Sequence, residues 1–267
     1  MPPDEPDDAA DRLRALRREP PPFRRVRVVS IAALSPRMLR IVLAGAELDG
    51  FAIDAPASSV RMLIPPVGAD EIVMPEWTGN QFELPNGDRA PIRTFTPRYF
   101  DEQRLELTLD IVLHDHGAAS DWARNAEVHD EVAISGPGRS ETLDPEATSH
   151  LLAGDESAIP AIGQLLEAIP TDHTMEVHVE ISGPDARIEL PEHGGADVNW
   201  LVADPDSSPG DAMVAAVVAL DDLPDAVWVA GEAAAVQRLR KHLFDERGRS
   251  RSSVTARGYW KHGRSAT

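Results

Sequence analysis

The sequence predicts two domains, an N-terminal antiparallel β-barrel followed by a C-terminal doubly wound parallel-sheet domain. Short alternating or β-branched runs dominate as far as about residue 146, which is typical of a barrel. Strand-length and helix-length segments then alternate, which is typical of a parallel sheet. The 267 residues suffice for two domains of ordinary size, which we place at 23–146 and 147–267. Residues 1–22, rich in Asp, Arg and Pro, are predicted to form a disordered tail.

Short strands separated by turn signals make up the first predicted domain. The clearest turn signals are Pro65-Pro66, Asn86-Gly87-Asp88 and Gly136-Pro137-Gly138. Many short strands with little helix favour a barrel or a sandwich. The predicted strands are 26–29, 38–43, 59–64, 93–97, 104–112 and 131–135, with one helix at 120–126.

The second predicted domain alternates strands with helices. Short apolar runs are followed by longer segments with helical periodicity. Strands connected through helices pair in parallel, so these segments favour a doubly wound sheet. The predicted strands are 149–153, 175–181, 198–203 and 226–230, and the predicted helices are 159–169, 210–220 and 232–248.

Composition excludes several function classes. The absence of cysteine excludes disulfides, iron–sulfur clusters and cysteine nucleophiles. No apolar run approaches the roughly 18 residues that span a bilayer, and the N-terminus lacks a secretory signal, so a cytoplasmic location is expected. The net charge of −19 argues against nucleic-acid binding and, through repulsion between copies, favours a monomer.

Arg93-Thr94-Phe95-Thr96 is the first motif that could carry chemistry. Alternate residues of a strand share a face, so Arg93 and Phe95 are expected on one side, and Thr94 and Thr96 on the other. A guanidinium can pair with a phosphate, and an aromatic face can stack on a flat ring system. A surface arginine beside a core phenylalanine would give the same pattern.

A second motif lies where a predicted strand ends. Asp110, Val112 and His114 lead into the small residues Gly117-Ala118-Ala119, and Ser120 is predicted to be the N-cap of the following helix. Backbone N–H groups at a helix start attract phosphate, so this turn is a candidate anion site.

Two histidines in this motif raise the alternative of a metal site. His114 and His116 share a strand face, but no third ligand is near in the sequence, since Asp115 points away. A structural or cofactor-contacting histidine is therefore favoured over a metal ligand, and no resident metal is predicted.

Three further motifs follow in the C-terminal half. Gly154-Asp155-Glu156-Ser157-Ala158 joins a strand to a helix, as in the first unit of a nucleotide-binding domain, but it lacks G-x-G-x-x-G. Gly231-Glu232-Ala233 ends another strand. Near the C-terminus, Tyr259 and Trp260 lie among positive charges, which suits flat rings and anions or simply terminal packing.

In this order, the motifs resemble those of the siderophore-interacting protein family over about residues 23–263. That family comprises flavin-dependent ferric-siderophore reductases related to ferredoxin–NADP reductases. The resemblance implies an N-terminal FAD-binding barrel and a C-terminal NAD(P)H-binding domain. NADPH or NADH would reduce FAD, and the flavin would pass single electrons to Fe(III) held by a siderophore, the substrate.

The resemblance also implies roles for individual residues. Arg93 would bind the FAD pyrophosphate, and Phe95 and Thr96 would flank the isoalloxazine. Phe95 stands where the family usually has Tyr, so stacking is kept and a hydroxyl is lost. The remaining FAD-binding set is Thr94, Asp110, Val112, His114, Gly117, Ala118, Ala119 and Ser120, with Ala118 where the family often has Pro.

The other implied residues belong to the donor and substrate sites. Residues 154–158 and 231–233 would line the nicotinamide cleft, and Tyr259 and Trp260 would lie close to the flavin or to the cleft mouth. An acidic protein needs local cations for an anionic ferric siderophore. The candidates are Arg61, Arg98, Arg257 and Lys261, each of which could also be a solvated surface charge.

Three alternatives remain open from the sequence. A general NAD(P)H:flavin or diaphorase-type reductase would share the fold and reduce iron incidentally. A reductase fed by ferredoxin is compatible with the missing G-x-G-x-x-G fingerprint. A ferric-chelate binding protein without turnover would need no flavin.

Overall fold

Two β-sheets, one antiparallel and one parallel, form the framework of the chain. The computed structural model describes residues 20–65, 71–79, 81–114 and 117–263. The predicted disordered tail therefore lies outside the described residues, apart from its last three. Within the described ranges, no helix is long and apolar enough to cross a membrane.

Seven strands of the N-terminal half pair antiparallel in one sheet, in the order β6-β3-β9-β1-β2-β8-β7. Its edge strands β6 and β7 follow each other in the chain with only Thr96 between them, so the sheet curls into a half-barrel. Strands β4 and β5 form a separate hairpin. The bounds are β1 Phe23–Ser35, β2 Met38–Ala44, β3 Val60–Leu63, β4 Glu76–Trp77, β5 Phe82–Glu83, β6 Ile92–Phe95, β7 Pro97–Asp101, β8 Glu106–Val112 and β9 Glu131–Ser135.

Alternate side chains of the strands point inward and form the core of the half-barrel. On β8, Leu107, Leu109 and Ile111 are buried, because every second residue of a strand points to the same face. Trp122 of helix α1 (Ala118–Asn125) belongs to this core. Phe95 packs against it as well, so the core fixes the end of the first motif.

The C-terminal sheet has five parallel strands in the order β12-β11-β10-β13-β14. Leu152 packs with the first helix of this domain, Ile159–Ala168. The neighbouring Leu151 and Ala153 point the other way and pack with the two later helices, so helices cover both faces of the sheet. This confirms the doubly wound prediction. The elements are β10 Ser149–Asp155, α2 Ile159–Ala168, β11 Thr174–Ile181, β12 Ala196–Val202, α3 Asp211–Val218, β13 Ala226–Glu232, α4 Ala233–Lys241 and β14 Val254–Trp260.

The C-terminal aromatic segment is a strand, whereas the sequence suggested a tail. Strand β14 lies at the sheet edge and buries only Val254, so its polar residues hide the apolar pattern that marks the inner strands. The helix predicted at 232–248 is shorter than expected. It gives way to a π-helical turn at His242–Glu246, and Gly248, with a φ of 64°, follows.

The two sheets share part of one hydrophobic core. Met38, Ala57 and Val112 of the N-terminal half belong to the same buried cluster as Ile162 and Leu165 of α2. A continuous apolar interface makes the relative position of the two halves part of the folded state.

Gln164 on α2 links the two halves with both atoms of its amide. Its Oε1 accepts from the backbone N–H of Ala57 at 2.9 Å, and its Nε2 donates to the carbonyl of Pro97 at 2.6 Å. The side chain is buried, so both bonds are made away from water. Pro97 directly follows Thr96, and Gln164 therefore helps to fix the end of the first motif.

Arg98 belongs to the same interface. Its guanidinium makes a bidentate pair with Glu167, at 2.7 and 2.8 Å, and lies 4.0 Å from the centre of the Tyr99 ring. Gly163 leaves room for it, because a Cβ there would come within 3.0 Å of the Arg98 Nε. Arg98 is only 5% exposed. This placement argues against its predicted role as a cation that faces a substrate.

We expect Gln164→Met to lower the free energy of unfolding by about 2 kcal/mol, because the Ala57 N–H and the Pro97 carbonyl would remain buried without partners. Urea denaturation measures the change. Gln103→Met, at an exposed turn position, is the matched control. If Gln164→Met lowers the free energy of unfolding no more than this control does, the role of Gln164 as a link between the two halves is contradicted.

Candidate functional site

The predicted motifs meet where the ends of β6 and β8 approach the carboxyl edge of the parallel sheet. The ring of His114, just beyond β8, lies 5.6 Å from the ring of Trp260 at the end of β14. In open α/β sheets, ligands bind at the carboxyl ends of the strands where the strand order reverses. Here the order reverses between β10 and β13, beside Trp260. This junction is the candidate site.

Arg93 on β6 lies in an electropositive setting. Its Nη1 donates to the carbonyl of Ile92 at 2.9 Å. Burial and repulsion from Arg89 lower the pKa of the Arg93 guanidinium. A bound anion would relieve the repulsion between the two arginines, so the pair suits a phosphate group.

The rest of the first motif divides between solvent and core. Thr94 is exposed and pairs across the sheet with Arg61 on β3. Phe95 packs inward on the N-terminal core. Thr96 is buried, although the alternation predicted that it would share a face with Thr94. The strand ends at Phe95 and Thr96 lies at the crossing to β7, which explains the difference.

Tyr259 of β14 meets Thr96 from the other half of the chain. Burial raises the pKa of the Tyr259 phenol to about 12, and a side-chain hydrogen bond with Thr96 opposes this rise. The Trp228 ring contacts Tyr259 edge-on, with 6.4 Å between ring centres. The end of the first motif is thus held by residues of both halves.

Helix α1 begins with an open N-terminus. Its N-cap is Gly117, not Ser120 as predicted, and no side-chain cap bonds its first turn among the described residues. Ser120 lies inside the helix, and its Oγ accepts from the N–H of His114 at 2.9 Å. At Gly117, whose φ is 134°, no described residue other than its chain neighbours has an atom within 4 Å of an added Cβ. The first N–H groups, at Ala118 and Ala119, therefore begin a helix whose positive end is open to an anion.

Two other members of the second motif are committed to protein contacts. Asp110 makes a bidentate pair with Arg40, at 2.7 and 2.8 Å, and Val112 belongs to the core shared by the two halves. These contacts favour structural roles over direct contact with a cofactor. His116, the second member of the considered metal pair, lies outside the described residues. No cluster of three metal-binding side chains occurs in the described ranges.

Asp155, the last residue of β10, is the most connected carboxylate of the site. Its Oδ1 accepts from the N–H and hydroxyl of Ser157 at 2.9 and 2.5 Å, and its Oδ2 accepts from the N–H of Glu232 at 2.8 Å and from Trp260 Nε1 at 2.7 Å. Burial raises the pKa of Asp155, and these four bonds oppose that rise. Gly231 makes the approach possible, because a Cβ there would lie 2.5 Å from Asp155 Oδ2.

Glu232, the last residue of β13, caps helix α4. Its Oε2 accepts from the N–H groups of Ala234 and Ala235 at 2.5 and 3.0 Å, and its Oε1 accepts from the N–H of His262 at 3.1 Å. Burial opposes ionisation, but these backbone bonds outweigh it, so the pKa of Glu232 is lowered. Ala233 is the first residue of the helix.

The turn after β10 is tightly packed. A Cβ at Gly154 would lie 2.4 Å from the Cβ of Ala158, so only glycine fits there. Glu156 accepts from the N–H and hydroxyl of Ser182 at 2.7 and 2.6 Å and pairs with Arg37 of the N-terminal half at 3.0 Å. Its carboxylate is therefore directed into the protein.

The remaining predicted cations fall into two groups. Arg257 donates to the carbonyl of Ser140 at 2.7 Å and to Glu141 Oε2 at 3.1 Å, so it is tied to the connection between the sheets. Arg61 and Lys261 are exposed, and neither side chain makes an ion pair or hydrogen bond with the described residues. Arg61 lies beside Thr94, and Lys261 follows Trp260 directly.

Two residues of the site were not singled out from the sequence. Glu180 is buried on β11 and accepts from the N–H groups of Gly210 and Met213 at 2.6 and 2.8 Å. Burial raises its pKa, and these amides oppose the rise. An acid at the end of the apolar run 175–181 was the available signal. No sequence signal distinguished Arg89 from other surface arginines.

We expect Trp260→Phe to lower the free energy of unfolding by about 1–2 kcal/mol at pH values where Asp155 is ionised, because Asp155 would lose one hydrogen bond to its charged form. The pKa of Asp155 would rise further above its unfolded value of 3.8. The loss should therefore shrink as the pH falls through this raised pKa. Urea unfolding at several pH values measures it.

The matched control is Trp77→Phe on the small hairpin, where Trp77 packs on Phe82 at 5.0 Å. Its effect should be independent of pH over the same range. An equally pH-independent loss in Trp260→Phe would contradict the coupling of Trp260 to Asp155.

Family models match both halves of the chain. A siderophore-interacting FAD-binding domain model matches residues 27–141, and a siderophore-interacting protein model matches residues 147–263. An uncharacterized protein of Mycobacterium tuberculosis H37Rv is 37% identical over 91% of this chain and 92% of its own length. Ferric vibriobactin reductase ViuB of Vibrio cholerae is 30% identical, over 86% of each chain. An NADPH-dependent ferric-chelate reductase of Escherichia coli is also 30% identical, over 89% of this chain and 92% of its own.

Solved structures agree with these matches. A siderophore utilization protein from T. fusca superposes with a TM-score of 0.82 at 30% identity, covering 93% of this chain and 96% of its own. Ferredoxin-NADP+ reductase from Plasmodium falciparum superposes with a TM-score of 0.61 at 11% identity, covering 88% and 95%. The second likeness concerns the fold alone, and it confirms the ferredoxin-reductase-like architecture.

Proposed function

Because this chain belongs to the siderophore-interacting protein family, we propose that it is a cytoplasmic FAD-dependent reductase of ferric siderophores, with NADPH or NADH as donor. Two relatives support the reaction through their names, one a ferric vibriobactin reductase and the other an NADPH-dependent ferric-chelate reductase. Bound FAD would supply the chemistry, taking two electrons from one NAD(P)H and delivering one to each of two Fe(III) ions.

The open N-terminus of α1 is the observation that carries this proposal. Its first turn has no side-chain cap among the described residues, and apart from the chain neighbours of Gly117 none of these residues lies within 4 Å of a Cβ added at Gly117. Arg93 adds a guanidinium whose charge is disfavoured by burial and by Arg89. An uncapped helix start together with two arginines fits the pyrophosphate of a dinucleotide cofactor.

The chain's own residues would then place the cofactor. Arg93 and the first N–H groups of α1 would hold the pyrophosphate, while Phe95 and Thr96 would border the isoalloxazine at the end of β6. Gln164 and Tyr259 hold this end of the strand from the C-terminal half. Residues 154–158, 231–233 and Trp260 would bound the opposite side, where the nicotinamide approaches.

Exposed cations would receive the iron chelate. Arg61 on β3 lies beside Thr94, and Lys261 extends β14 past Trp260, so both lie next to residues of the junction. A local positive field in a protein of net charge −19 would attract an anionic ferric siderophore to this place. Arg98 and Arg257 already have protein partners and would act in the framework.

The test of this function begins with the visible spectrum of the purified protein. Anaerobic NADPH or NADH is then added with a ferric catecholate or hydroxamate chelate and an Fe(II) trap. We expect flavin absorption that bleaches and Fe(II) that appears. A turnover rate that saturates with the concentration of a free dye, but not with that of the chelate, would favour a general flavin reductase. A colourless protein that FAD does not reconstitute would contradict the proposal.

We expect Arg93→Ala to retain at least about tenfold less FAD after extensive dialysis, because a half-buried partner of the pyrophosphate would be lost. Flavin absorbance relative to protein absorbance measures the occupancy. Arg104→Ala is the control, since Arg104 is largely exposed and, within the part of the chain that the structure describes, forms an ion pair only with the nearby Glu106. Full occupancy in Arg93→Ala would remove Arg93 from the pyrophosphate site.

We expect the double variant Arg61→Ala, Lys261→Ala to raise the KM for an anionic ferric chelate by roughly 3–10-fold, with flavin occupancy unchanged. The difference from the wild type should shrink at high salt, because ions screen exposed charges. Steady-state assays at two ionic strengths measure both effects. An unchanged KM would place the chelate elsewhere on the surface.

A further inference from the structure

Three helices begin at the carboxyl edge of the parallel sheet. In dinucleotide-binding domains, a pyrophosphate rests on such a helix start, where free N–H groups and the helix dipole attract it. In this chain, the starts of α2, α3 and α4 are each engaged by groups of the protein itself.

The start of α2 offers few free donors. In the turn before it, the N–H of Ser157 donates to Asp155 Oδ1 at 2.9 Å, and the N–H of Ile159 donates to the carbonyl of Glu156. Pro160 has no N–H to donate.

Carboxylates from neighbouring strands occupy the other two starts. Glu180 accepts from the N–H groups of Gly210 and Met213 at the start of α3. Glu232 accepts from those of Ala234 and Ala235 at the start of α4. A pyrophosphate would have to replace a buried carboxylate at either position, and the remaining charge would repel it.

The crevice where the strand order reverses is also filled. Between β10 and β13, the Asp155 carboxylate occupies the space that a Cβ on Gly231 would need, and it accepts from the N–H of Glu232. The indole of Trp260 closes this position by donating to Asp155 at 2.7 Å. The carboxyl edge therefore presents acids and a ring where a dinucleotide-binding domain presents glycines and free N–H groups.

We infer that this chain recognises its pyridine nucleotide by the nicotinamide end alone, without a pyrophosphate or adenosine subsite in the part of the C-terminal domain that the structure describes. This inference rests on the proposed function. NADH, NADPH and reduced nicotinamide mononucleotide should therefore bind at the junction beside Trp260 with similar affinity. The open helix start at α1, in the other domain, is the one that fits a dinucleotide pyrophosphate, and it is assigned to FAD.

Calorimetric titration of the flavin-loaded protein tests the inference. The probes are nicotinamide mononucleotide, NAD+ and NADP+, each titrated at the same pH and ionic strength. We expect dissociation constants that agree within about threefold. A dinucleotide that binds more than about tenfold tighter than the mononucleotide would overturn the inference and leave the proposed reductase intact.

A parallel measurement separates the two proposals. Anaerobic mixing with the three reduced nucleotides records the rate at which flavin absorption bleaches. Similar saturation concentrations for all three support the inference. If none of the three binds and none bleaches the flavin, the inference and the nucleotide-linked function both fail.

Glu232→Ala tests directly whether Glu232 keeps a pyrophosphate from the start of α4, because this substitution frees the N–H groups of Ala234 and Ala235 beside the crevice. We expect the affinity for NAD+ and NADP+ to rise at least about threefold relative to the mononucleotide. Glu180→Ala is the matched control, since it removes the acid at α3, away from the strand reversal. If the ratio of dinucleotide to mononucleotide affinity is unchanged in Glu232→Ala, Glu232 is not the group that keeps the pyrophosphate out.

Discussion

The buried carboxylate of Asp155 holds the candidate site together. Its two oxygens receive bonds from the turn after β10, from the backbone of the last residue of β13 and from the indole at the end of β14. These donors lie at the carboxyl ends of three different strands of the parallel sheet, so one side chain sets the spacing of the three strand ends. Since burial disfavours the charged form, the arrangement depends on all the donors being present together.

The two halves of the chain treat helix starts in opposite ways. In the N-terminal half, α1 begins at Gly117 with open space and no side-chain cap among the described residues. In the C-terminal half, Asp155, Glu180 and Glu232 bind the amides at the helix starts. A helix start is equally positive in both halves, so the neighbouring side chains decide whether a ligand or the protein neutralises it.

Sequence patterns predicted much of the framework and less of the site. Strand β9 and helix α2 were placed within one residue, because buried runs and turn signals bound them closely. Strand β14 was missed because an edge strand with one buried residue has no apolar pattern. Ser120 has the chemistry of an N-cap but lies inside α1, where its hydroxyl serves the preceding loop. The motif residues meet at one junction, but the partners of Arg98 and Asp110 depend on contacts between distant segments, which spacing does not encode.

The connection between the sheets also covers an edge. Glu141 in this connection binds Thr255 and Arg257 on β14, the outermost strand of the parallel sheet. Unprotected edge strands tend to pair with other chains, and native proteins cover them or place charges on them. Cutting the chain after Glu141 would therefore remove these edge contacts as well as the tether between the two halves. An isolated C-terminal half would expose a strand edge together with the apolar face that it shares with Met38 and Val112, two surfaces that promote aggregation.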